Sequence, residues 1–156
     1  MVGAVSSGLV LALALGSLDF AFNAAVRSED IETAVTLEPL YLRDPVVMNI
    51  VAQGLSFEVD DDASRDRMLA AFERTIEIEP TRSHWWIELA RRQGLYGDPE
   101  SALASAQEAL KLEPFDQTAW RIVRVAAEET GDVELEREAS DMLCKLGVDS
   151  GCDESR

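Results

Sequence analysis

Apolar residues recur at helical spacing along most of the chain, and short polar turns break the pattern at regular places. Ser28 in Arg27-Ser28-Glu29-Asp30 is a cap candidate, and Ile31, Ala34, Val35 and Leu37 continue at that spacing to Pro39. Asp44-Pro45 places an N-cap residue before a proline at a first helical position, ahead of Val46, Ile50, Val51, Leu55 and Phe57. From Met68 a further helix carries Leu69, Phe72, Ile76 and Ile78 towards Pro80. Ser83 is the expected cap of the next, with Trp86, Leu89 and Ala90 on its inner face. Gly97-Asp98-Pro99 turns the chain, and Ala102 to Leu112 leads to Pro114. Asp116 starts a helix bearing Trp120, Val123 and Ala127; Gly131-Asp132 turns; Leu135, Ala139, Leu143 and Leu146 form a last face ending at Gly147.

Two stretches depart from this rhythm. Val2 to Leu18 contains no charge, and its apolar character runs past Asp19 to Val26. A helix over residues 2–26 would be about 37 Å long, enough to cross a bilayer, while its uncharged part alone reaches about 25 Å. A membrane-spanning or anchoring helix is the leading expectation. A secretory signal peptide using Ala12-Leu13-Ala14 lacks a basic leading region, and a buried core helix is the third reading. With Arg27 and Arg43 following and no basic residue before, orientation is weakly specified. The second departure is Val59-Asp60-Asp61-Asp62-Ala63-Ser64. It lacks the alternating ladder and distal Glu of a calcium loop, so it reads as an acidic turn and helix N-cap.

An aliphatic-Glu-Pro ending occurs at Leu37-Glu38-Pro39, Ile78-Glu79-Pro80 and Leu112-Glu113-Pro114, spaced 41 and then 34 residues apart. A 34-residue unit of two helices resembles the tetratricopeptide repeat (TPR). The best unit, 83–116, places Trp86, Leu89, Ala90, Ala102, Ala106, Ala109 and Pro114 at that family's signature positions. Ala90 and Ala106 depart mildly from its glycine and aromatic, and Gln93 replaces its tyrosine. Residues 28–82 and 117–147 read as degenerate repeats; the latter keeps Trp120, Ala127 and Gly131 but puts Arg124 and Glu136 where small residues are usual. The expected architecture is all-α: antiparallel helix pairs stacked as a short TPR-like solenoid over 27–147, preceded by the hydrophobic helix and followed by a polar tail, 148–156. Each pair has an apolar stripe it cannot bury alone, small residues permit close approach, and proline stops the second helix. The whole layout also resembles the repeat-bearing tail of O-antigen ligase or polymerase-type bacterial membrane proteins, whose catalytic spans are not present in this sequence.

Composition narrows the function. The 156 residues are 47% hydrophobic but only 6% aromatic, which suits a helical protein. A formal net charge of −16 argues against nucleic-acid binding, since phosphates would be repelled. With 30 Asp and Glu, any carboxylate pair is uninformative about chemistry. No nucleophile elbow, phosphate loop or zinc-protease motif is present, and His84 is remote from Cys144 and Cys152. Neither catalytic residues, a metal site nor a cofactor is expected. Cys144 and Cys152 would close a small disulfide loop in an oxidising compartment, or be free thiols in a reducing one.

Binding is the better class. The TPR resemblance implies a groove lined by the first helix of each pair, here His84, Ile87, Arg91 and Leu95, then Thr118, Arg121 and Val125. Arg91 and Arg121 either meet a ligand carboxylate or pair with Glu88 and Glu128. The family's carboxylate-clamp residue set is absent. By helical phase Trp86 belongs to the repeat core, as does Trp120, whereas Trp85 is a partly exposed contact residue. The expected role is a membrane-anchored module that binds a protein or peptide, with the repeats on the extracytoplasmic side; self-association is left open. The alternative is an accessory portion of an envelope glycan-assembly enzyme.

Overall fold

The computed structural model describes residues 61–148, together with 52, 53, 55 and 59. The hydrophobic stretch 1–26, most residues of the helices expected before the acidic turn, Cys152 and the tail from 149 lie outside the described residues. Among the described residues no helix is long and apolar enough to cross a membrane. Over residues 61–148 five helices follow one another: α1 (Asp62–Ile78), α2 (Ser83–Leu95), α3 (Pro99–Leu112), α4 (Gln117–Thr130) and α5 (Val133–Lys145).

The chain divides into two compact units, Met1–Ala71 and Phe72–Arg156, with the boundary inside α1. In the first, Asp61 and Ser64 cap α1 reciprocally. The Asp61 carboxylate accepts from the Ser64 backbone N–H at 2.7 Å, and the Ser64 hydroxyl accepts from the Asp61 N–H at 3.1 Å. These Ser64 hydrogen bonds hold the Asp61 carboxyl below its ordinary pKa. The acidic run thus serves a helix start.

In the second unit each helix packs on its neighbours in sequence, and α2 also touches α4. Aspartates begin three of the helices. Asp98, Asp116 and Asp132 accept from the backbone N–H of Ser101, Ala119 and Leu135 at 3.0, 2.8 and 3.1 Å, each satisfying an orphan donor of a first turn. The start of α2 differs from expectation: Ser83 is its first helical residue and is buried, and Arg82 holds the cap position without a side-chain hydrogen bond.

The 34-residue period is visible in geometry. Gly97 and Gly131 both adopt left-handed φ, 78° and 77°, in the turns after α2 and α4. The indole N–H of Trp86 donates to the Pro80 carbonyl at 3.0 Å, and that of Trp120 to the Pro114 carbonyl at 2.8 Å. These bonds tie each first helix to the proline that stops its predecessor.

One core cluster takes a residue from each of α2 to α5: Ala90, Ala106, Val123 and Ala139, all at 0–1% exposure, with Trp120 and Leu135 against it. A second joins Ile87, Ala109 and Ala119, flanked by Trp86. Ala102 and Leu89 are buried too. Trp85 is the departure: it is 4% exposed, whereas Trp86 is half-buried. The Trp85 indole donates to Glu79 at 3.0 Å, and the Arg82 guanidinium lies 5.1 Å from its ring centroid. Pro114, assigned to the repeat core, is exposed and acts through its carbonyl.

Candidate functional site

The small side chains that let these helices approach also leave a trough. A Cβ placed on Gly94 would lie 3.6 Å from that of Ala102, so α2 and α3 meet with almost no side chain between them. Ala90, Gly94, Ala102, Ile122 and Ala126 form an apolar floor, and Pro99 also lines it. The trough encloses about 410 Å³, within the range of peptide and small-molecule sites.

Its rim comes from the outward positions of α2 and α4. Arg91, Leu95, Thr118, Arg121 and Val125, all expected there, share it. Leu95 and Val125 are 68% and 48% exposed, large aliphatic side chains left in water along an open apolar surface. Two expected members lie elsewhere. Ile87 is buried against Ala109 and Ala119, because this part of α2 packs on α3 and the start of α4. His84 is exposed beside Trp85, their ring centroids 5.0 Å apart.

The two expected arginines differ. The guanidinium of Arg91 meets Glu88 at 3.0 Å, so it follows the intrahelical alternative. Arg121 is solvent-exposed and has no carboxylate partner among the described residues. A third arginine, missed in the sequence, lines the trough. Arg92 is half-buried, its guanidinium 5.8 Å from the Phe72 ring centroid, and its Nε is buried without a hydrogen-bond partner. A signal for it existed: a shift of 34 residues sets Arg92 opposite Ala126, which is buried. Glu129 is the trough's one lining carboxylate.

Cys144, half-buried on the last turn of α5, is disulfide-bonded. Among the described residues no group of His, Cys, Asp and Glu is placed to hold a metal ion.

Consecutive helix pairs, a shared turn geometry and a trough along the first helices define a TPR-type helical-repeat fold. No protein-family profile matches the chain, and neither does any curated protein. Solved structures do match. Two crystal structures of MamA, a TPR-like repeat protein, superpose with TM-scores of 0.60 and 0.59 at 18% identity. Each match covers 80% of this chain, which spans 66% and 62% of the respective MamA chains. A MamA point mutant superposes with a TM-score of 0.56 at 19% identity, covering 86% of this chain and 98% of its own. At these identities the likeness is one of fold.

Proposed function

We propose that this chain is a non-catalytic protein-interaction module, which holds a segment of a partner protein in the trough between α2 and α4. The observation that carries the reading is the rim itself. Leu95 and Val125 stand exposed over an apolar floor, whereas the other exposed large hydrophobic residues, Leu112, Phe115 and Val133, lie at helix ends or in a turn outside the trough. Arginines and aliphatic side chains line the trough, a set suited to holding a ligand rather than to nucleophilic chemistry. A photo-crosslinking residue at Leu95 in the full chain tests it. Crosslinks to a partner should form there and be lost when Val125 becomes Glu. Equal crosslinking from Phe115, exposed outside the trough, would sink the reading.

Residues 1–26 serve in this proposal as a membrane anchor, with the repeats on the extracytoplasmic side and Cys144 joined to Cys152 there. The motive is the uncharged run Val2–Leu18. Deleting it should release the protein from the membrane fraction; unchanged membrane association would refute the anchor alone. The alternative, an accessory portion of an O-antigen ligase-like assembly protein, draws on the same order of hydrophobic stretch then acidic repeats. Neighbouring glycosyltransferase genes would favour it. Self-association by stacking on α5 is opposed by the exposed charges Glu134, Arg137, Glu138, Asp141 and Lys145 on that helix. Association of copies would then run through the trough.

A further inference from the structure

The charge of the trough is inverted relative to the chain around it. Acidic residues outnumber basic ones 30 to 14 in the sequence, yet three arginines and one glutamate line this site. Partnering sharpens the contrast. Arg82, Arg91 and Arg137 each meet a carboxylate within 4 Å, at Glu79, Glu88 and Asp141. Arg92 and Arg121 meet none, although Glu88 lies on the helix of the first and Glu128 and Glu129 on that of the second. Arg92 bears the larger cost, because its Nε is desolvated and donates to nothing. A guanidinium left in that state beside an apolar floor matches a planar, bidentate anionic acceptor supplied from outside.

Resting on the trough as a protein-binding site, we infer that its occupant is an acidic peptide segment of a partner protein, with an aliphatic residue beside its carboxylates. The aliphatic side chain packs on Leu95, Val125 and Ile122. The carboxylates accept from Arg92 and Arg121. A net charge of −16 opposes the approach of an acidic segment, so this pairing depends on contacts made inside the trough. A basic partner would meet two guanidinium groups that no carboxylate neutralises, and a neutral one would forgo charge-assisted pairing with them.

A random peptide library panned against the full chain tests the inference. Selected sequences should be enriched in Asp and Glu together with Leu, Ile or Val. Their binding should fall about tenfold for Arg121→Gln and again for Arg92→Gln. It should vanish for Leu95→Glu combined with Val125→Glu. Arg121 is exposed, so its variant keeps the fold, and melting curves confirm the same for Arg92→Gln. Enrichment in neutral or basic residues, or acidic peptides indifferent to both arginine variants, would overturn the inference. If such peptides are still lost on Leu95→Glu with Val125→Glu, the trough remains a binding site and only its acidic preference falls. Selected peptides insensitive to every trough variant would overturn both.

Discussion

Ala106→Leu probes whether small residues set the helix spacing. Ala106 has 0% exposure where all four helices of the second unit converge, touching a cluster of Ala90, Val123 and Ala139 with Leu103, Leu110 and Leu135 around it. The added carbons of leucine have no cavity to occupy, so α2 or α4 must shift or the new side chain must leave its rotamer. Overpacking of this kind costs roughly 1–3 kcal/mol. For a unit of this size each kcal/mol moves the melting temperature by about 4–8 °C, so a fall of roughly 5–20 °C is expected. Ala104, exposed on the same helix, is the control: Ala104→Leu adds identical atoms facing water and should stay within about 0.5 kcal/mol of the parent. Thermal and urea unfolding followed by circular dichroism report both. An Ala106→Leu protein that melts cooperatively at or above the parent temperature would refute close packing as the determinant of this fold.

Other perturbations have definite signs. Asp116→Ala leaves the Ala119 N–H without its acceptor and should cost about 1 kcal/mol in urea unfolding. Gly131→Ala and Gly94→Ala should have opposite effects: the first puts a Cβ on a residue at φ 77° and costs roughly 1 kcal/mol, while the second sits in a helix at ordinary contact distance and gains up to about that much. Asp98 supplies a pH dependence. The Ser101 N–H bonded to its carboxylate lowers its folded pKa below 3.8, so its contribution is complete above the unfolded value and is lost as pH falls through the folded one. Asp98→Asn, which still caps, should flatten the acid side of the stability curve below about pH 4; an unchanged acid limb would count against that role.

The architecture was legible because its signals are local. Gly97-Asp98 and Gly131-Asp132 mark two turns 34 residues apart, and the apolar spacing between them fixes helices that the structure reproduces. What failed was the assumption of one buried stripe per helix. The first half of α2 buries Ser83, Trp85, Ile87, Glu88, Leu89 and Ala90, a nearly continuous run. Phase alone therefore cannot separate Trp85 from Trp86, or place Ile87 outside the trough. Arg91 and Arg92 illustrate the same limit in the polar direction. Of the two, only Arg91 is expected in the groove, yet it is tied to Glu88, and its neighbour Arg92 turns inward against Phe72. Five of the seven expected groove residues do line the trough, because residues 91 and 95, and 118, 121 and 125, fall where each helix points away from the core.

The matching left-handed turns at Gly97 and Gly131 make the molecule divisible into interchangeable lengths. Each is followed by an aspartate that caps the next helix, so residues 98–131 begin and end at equivalent junctions. A duplicate of that segment spliced after Gly131 would enter and leave through the same backbone rotation, and present a second trough in register with the first. Nearest-neighbour coupling in such arrays adds an interface with every added unit. Reach and valency would then grow with the number of such segments joined, with no redesign of the packing between them.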